Sequence, residues 1–292
     1  MNAVERLVPI HNEMGETPIW VEEEQAIYWV DTVTHGIFRY DPQNAQQQSF
    51  QPDLPVRALC RRAAGGWLVV TDSGLAFWNQ EANTCEFIVN PYADQPDVQF
   101  NDGMIDRQGR LIVGSFNHTR LGDPDGELFR LDPDLSLHKL DSRLILSNGI
   151  GVSPDSRALY VAEMFAQKIT AYDYDAATGT VSNRRTFVEI PPEHGKPDGV
   201  TVDSAGYVWT AHWDGWRVTR YDPAGKLERT IMLPVKIATC IGFGGAEMND
   251  LYITTAWYNL TAQERQEQPW AGDLLRVKTD VRGLPEPKFA SA

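Results

Sequence analysis

Apolar residues in this chain come in short runs and not at helical spacing. Residues 26–30, 67–71, 111–114, 159–162, 207–211 and 251–255 are each rich in Val, Ile, Leu, Tyr or Trp, with Gly, Asp, Asn or Ser close to their ends. Short β-branched and aromatic runs set between turn formers read as strands. The runs belong to a repeat. Asn101-Asp102-Gly103, Asn148-Gly149 and Asp198-Gly199 each open an apolar strand, which is followed by an Asp/Ser/Gly turn and a second strand. A third strand ends in Arg39-Tyr40-Asp41-Pro42, Arg130-Leu131-Asp132-Pro133 or Arg220-Tyr221-Asp222-Pro223. Asp-Pro closes a strand because Pro cannot donate to the ladder and Asp favours a turn.

Aligned on the first strand, the repeat positions are Glu16, Arg57, Asp102, Asn148, Asp198 and Thr239, the units at Arg57 and Thr239 being the least regular. Units of about 40–50 residues with four short strands each are one propeller blade apiece. The pattern therefore predicts an all-β, six-bladed β-propeller with four antiparallel strands per blade, one domain over residues 1–292. Residues 4–10 have strand character ahead of the first repeat and are expected to pair with the last blade, closing the ring. The polar insertion at 258–268, inside that last blade, reads as a surface loop or a short helix.

In a propeller, residues at one repeat position meet at the mouth of the central channel. Glu16, Asp102, Asn148 and Asp198 would bring oxygen donors there, which suit Ca²⁺, Mg²⁺ or Mn²⁺ better than zinc. Packed carboxylates repel one another, and a divalent ion cancels that repulsion. Asp-Gly and Asn-Gly are also ordinary turn dipeptides, so it is the shared repeat position that singles these residues out. Composition narrows the partners. With 26 basic and 40 acidic residues the net charge is −14, which argues against nucleic acid and anionic membranes. Cys60, Cys85 and Cys240 show no CxxC spacing, so neither a disulfide framework nor a thiolate zinc site is expected. No apolar stretch approaches a membrane span, and residues 1–16 lack the apolar core of a signal peptide. The expectation is a cytoplasmic protein, monomeric or weakly homo-oligomeric.

Other motifs are weaker. No Gly-x-Ser-x-Gly elbow supports a serine nucleophile. Residues 123–127 imitate the start of a calcium loop and read as a hairpin turn. The six His residues show no HxxxH or HxH spacing and read as turn or packing residues, His118 and His212 being the two placed to line the mouth. Trp209, Trp213, Trp216 and Trp257 read mainly as blade packing, with room for one to form a wall of a binding site.

Gly15-Glu16-Thr17-Pro18, Phe100-Asn101-Asp102-Gly103, Ser147-Asn148-Gly149-Ile150, Pro197-Asp198-Gly199-Val200 and Ala271-Gly272-Asp273 follow in order along nearly the whole chain. Together they resemble the sugar-lactone hydrolase family, which includes gluconolactonase, regucalcin and luciferin-regenerating enzyme. Residues 281–289 resemble its bacterial pentono- and hexonolactonases. The resemblance implies a six-bladed propeller that hydrolyses a sugar-derived lactone to the aldonic acid. It also implies one divalent cation (Ca, Mn, Mg, Fe or Zn) held by Glu16, Asn148 and Asp198. Asp198 would double as the acid/base. Asn101 matches a substrate-binding residue, Asp102 an acid beside it, and His118 lies near a further substrate contact. Gln99 stands where relatives carry Arg, a neutral donor in place of a charged fork. The expected partner is a small-molecule lactone. Two other readings stay open: a non-catalytic calcium- or partner-binding propeller, and a metal-dependent esterase on the same scaffold.

Overall fold

A computed structural model describes residues 3–291. Among them, strands form six four-stranded antiparallel sheets. The innermost strands are Gly15–Val21, Val56–Arg61, Val98–Ile105, Ser147–Val152, Lys196–Val202 and Ala238–Gly244. This is the expected six-bladed propeller, and each repeat position lies on one of these strands. The apolar runs fall in the second strands. Trp67–Thr71, Leu111–Asn117 and Asp250–Thr255, for example, are buried end to end, because neighbouring sheets cover both faces of a blade. The outermost strands face water, and Gln46–Phe50 is accordingly almost all polar.

Apolar clusters lie between neighbouring blades all round the ring. Ile19 and Tyr28 of the first blade pack with Val56 and Val69 of the second. Trp20, Ile27 and Trp29 pack with Val8, Tyr252 and Leu274 of the last. The turn acids are structural. Asp203 accepts the amides of Ala205 and Tyr207, the Trp209 indole N–H and the Arg220 guanidinium. Asp106 does the equivalent for Gln108 and Arg110.

Closure uses both ends of the chain. Val4–Val8 pairs antiparallel with Leu274–Lys278, Val4 opposite Val277. The Asp273 carboxylate, wholly buried, accepts from the Ile10 amide at 2.9 Å, the His11 amide at 3.0 Å and Arg6 Nε at 2.6 Å. Asp273→Ala leaves these donors unpaired and is expected to cost about 2 kcal/mol. A urea midpoint unchanged within error would show that strand pairing alone closes the ring.

Residues 281–290 then cross the end of the channel away from the mouth. Gly283 N donates to Met248 O, Phe289 N to Arg61 O and Ala290 N to Gly109 O. Phe289 is fully buried in the cluster shared by the second and third blades. Behind this strap, a cavity of about 90 Å³ is lined by channel residues and by Leu284, Pro285, Glu286 and Pro287. The insertion in the last blade contains a helix, Ala262–Glu267, begun by a capping box in which Thr261 and Glu264 exchange hydrogen bonds.

Candidate functional site

Every inner strand slips register at the repeat position: Glu16 to Ile19, Val56 to Ala58, Phe100 to Gly103, Ser147 to Ile150, Pro197 to Val200 and Ala238 to Ile241. A bulge bends the strand and re-aims its side chains, so the blades present residues to the axis at matching places. The glycines that follow have a separate cause. A Cβ on Gly149 would lie 2.1 Å from Val200 N, and one on Gly199 2.5 Å from Cys240 Cα. Adjacent bulges stack backbone to backbone, and only glycine admits that approach.

The bulges open on a cavity of about 390 Å³ at the mouth. Glu16, Arg57, Asn101, Asp102, Asn148 and Asp198 line its polar side. Phe116, Leu146, Met164 and Trp213 form the apolar side, with His118, Leu121, Phe165 and Tyr258 at the rim. Trp213 is thus the tryptophan of the four that lines this cavity, and Tyr258 brings the last-blade insertion over the mouth. Gln99, half-buried on the same strand as Asn101, is not part of the wall. His118 donates from Nε2 to Pro96 O at 3.2 Å. His212 does not reach the mouth. It is fully buried, with Nδ1 2.9 Å from His194 O and Nε2 2.6 Å from Thr219 Oγ1, and burial lowers its pKa to about 4.

Three carboxylates feel one another here. Glu16 is held well above the usual carboxylate range by burial, then by the charges of Asp198 and Asp102, against the pull of Arg57 and the Thr17 amide. Asp198 is likewise raised by burial and by Asp102, while the Asn148 amide and Lys196 oppose the rise. Asp102 is pushed up to about 6 by burial, although Gly103 N donates to its Oδ1 at 2.7 Å. Thr17 supplies its amide to Glu16 from φ +51°, a conformation costly for a β-branched residue.

The donor chemistry fits a hard divalent cation. Asp198 is 1% exposed, yet its Oδ1 has no hydrogen-bond partner, and a buried acceptor of this kind is expensive unless something binds it. Glu16, Asn148 and Asp198 offer oxygens only, the donor type of Ca²⁺, Mg²⁺ and Mn²⁺. Among the described residues, no three His, Cys, Asp or Glu side chains form a metal-sized group by themselves, so this donor set depends on the Asn148 amide.

The carboxylates make a pH prediction. A carboxyl whose pKa rises on folding stabilises the fold fully below its unfolded pKa and loses that contribution as pH rises through the folded value. For Asp102 the window runs from about 4 to about 6. In chelator-treated protein, Asp102→Asn should therefore add stability at pH 7.5, with the gain fading by pH 4. Its size should be about 1–2 kcal/mol, discounted because the cavity leaves Asp102 partly open to water. Equal denaturant midpoints at both pH values would refute it.

Sequence reasoning passed over Arg57 as an irregular repeat position. It did not reach the Thr17 strain, and of the apolar half of the cavity it offered only Trp213, as one of four tryptophans.

A sequence model of the SMP-30/gluconolactonase/LRE-like region matches residues 14–257. Regucalcin of Danio rerio is 34% identical over 287 residues, covering 97% of this chain and 96% of its own. A Bacillus subtilis protein named as a sugar lactone lactonase is 32% identical over 278 residues, 95% of each chain. The crystal structure of a calcium-binding protein, regucalcin from Agrobacterium tumefaciens, superposes with a TM-score of 0.93 at 22% identity, covering 99% of this chain and 97% of that one; at that identity the likeness concerns the fold.

Proposed function

The chain belongs to the SMP-30/gluconolactonase/LRE-like family, and from that premise we propose that it hydrolyses a sugar-derived lactone, a pentono- or hexonolactone, to the aldonic acid with the help of one divalent cation. The observation that carries the reading is the buried, unpartnered Asp198 Oδ1 at the floor of a cavity of about 390 Å³, beside two further carboxylates. Family membership supports lactone hydrolysis as the type of reaction. The choice of a pentono- or hexonolactone rests on the resemblance of residues 281–289, and the metal requirement on the site chemistry.

Glu16, Asn148 and Asp198 would hold the cation, which supplies positive charge where the lactone carbonyl oxygen becomes anionic. Asp198 takes a proton from the attacking water. The water oxygen bonds to the acyl carbon, the bond from that carbon to the ring oxygen breaks, and the proton passes to the departing oxygen. Asp102 is poised for protons near neutral pH but has one oxygen committed to Gly103 N, so its role is support. Trp213 and Phe116 offer apolar faces to the C–H side of the ring.

The test is a panel of pentono- and hexonolactones assayed with Ca²⁺, Mn²⁺, Mg²⁺, Fe²⁺ and Zn²⁺ in turn. Acid release above the spontaneous rate, abolished by chelator and restored by one of the ions, is expected. Tight cation binding with no turnover of any lactone would favour the non-catalytic calcium-binding reading, and turnover of aryl esters in preference to lactones the esterase one.

A further inference from the structure

Arg57 occupies the second blade's repeat position, on the wall of the mouth cavity between Glu16 and Asp102 of the flanking blades. Its guanidinium is fixed from three sides. Nη1 donates to Asp72 Oδ1 at 2.9 Å, Nη2 donates to Asn101 Oδ1 at 3.3 Å, and Cζ lies 5.5 Å from the centre of the Phe116 ring. The side chain is 14% exposed, and Nε is buried without a partner. Two of five N–H donors are therefore spent on protein and the Nε–H is buried, so a rigid, charged fork keeps one N–H on each terminal nitrogen for the cavity.

Asn101 is more fully engaged. Its Oδ1 accepts from Arg57, and its Nδ2 donates to Ser147 O at 3.0 Å in the next blade. An amide held at both ends is suited to fixing its neighbour. Gln99, two residues earlier, does not line the cavity. Arg57 is thus the cationic side chain on the polar side of this wall.

We infer that Arg57 is the residue by which this site recognises a hydroxyl-bearing lactone, its uncommitted N–H groups donating to the oxygen substituents of the ring, and that Asn101 is the residue that positions it. The inference rests on the lactonase reading above and adds the feature of the substrate that is read. A neutral, polyhydroxylated lactone matches a fork whose charge is already shared with Asp72 and Glu16. A lactone without hydroxyls would leave the donors unsatisfied, and such sites discriminate strongly against ligands lacking the partner group.

The test compares wild type with Arg57→Met at saturating cation, on the best hydroxylated lactone of the panel and on the unsubstituted lactone of the same ring size. The variant should lower kcat/KM for the hydroxylated lactone by about 10–100-fold, mostly through KM, and by at least about tenfold more than for the unsubstituted one. Equal losses on both, or none on either, would overturn the assignment. Asn101→Ala should lose part of the same discrimination, and the double variant should be no worse than Arg57→Met alone. Additive losses would make Asn101 an independent contact and end its positioning role. If wild type hydrolyses neither lactone, the lactonase reading has failed, and the binding of an aldonate to cation-loaded protein is then measured by calorimetry. Weaker binding to Arg57→Met, by the same factor, would sustain the recognition role; equal binding, or none to wild type, would overturn it.

Discussion

Asp198→Asn should lower kcat by about 10²–10⁴ at saturating metal, the usual cost of removing a general base. The change is close to isosteric. Asparagine keeps an oxygen where Oδ1 now stands unpartnered, so part of the cation affinity should survive. What is lost is the carboxylate that accepts the proton and one negative charge in the donor set. Asp198 is buried to 1% and held between the Asn148 amide and the influence of Lys196, so no water can easily take its place. Asp102→Asn should cost less, because Asp102 has one oxygen committed to the Gly103 amide and acts on the reaction mainly through its charge. The measurement is kcat with metal occupancy followed in parallel. An inactive Asp102→Asn beside an active Asp198→Asn, both at full occupancy, would reverse the roles and leave Asp198 a ligand alone.

Gly149→Ala should be the most damaging single methyl group in the protein's inner ring. Its Cβ would stand 2.1 Å from Val200 N, 2.5 Å from Gly199 C and 2.6 Å from Asp198 O. All three are backbone atoms of the next blade, so no side chain can swing aside. The fourth and fifth blades must separate, and inner strands tied to second strands by ladder bonds resist that. Over-packing in a tight core costs about 1–3 kcal/mol and sometimes more; with backbone on both sides, about 3 kcal/mol or more is expected. Since the displaced atoms include the carbonyl of Asp198, turnover should fall along with stability. Gly122→Ala is the control: it has nothing within 4 Å and should stay within about 0.5 kcal/mol. A thermal midpoint for Gly149→Ala close to that of the control would show that the blades have slack where none is visible.

The repeat was legible because it is written twice, in apolar second strands and in turn acids. Trp67–Thr71 reads as a strand because both its faces are covered, and Asp203 reads as a turn residue because its carboxylate collects the amides of that turn. The shared place of Glu16, Asp102, Asn148 and Asp198 could be counted along the chain, since one strand start per blade maps to one position around an axis. Arg57 could not be weighed in that way. Its meaning comes from Asp72, in a turn of its own blade, and from Asn101 and Phe116, on two strands of the next. His212 misled for a related reason. It lies within the strand Val208–Trp213 and not past its end, where the His194 carbonyl and the Thr219 hydroxyl hold it inside the blade. Thr17 carries no sequence mark of its positive φ, because residue type favours the opposite.

The strap formed by residues 281–290 narrows the far end of the channel and leaves the mouth as its wide end. The space behind it, about 90 Å³, is too small for a sugar ring, whereas the mouth offers about 390 Å³. On the lactonase reading, a sugar-sized molecule that enters by the mouth would leave by the same opening, against the next molecule waiting there. A chemical step faster than departure gains nothing under that arrangement, and the residence time of the spent molecule becomes the ceiling on throughput. Selection for speed would then act on the rim residues Leu121, Phe165 and Tyr258 more than on the carboxylates beneath them.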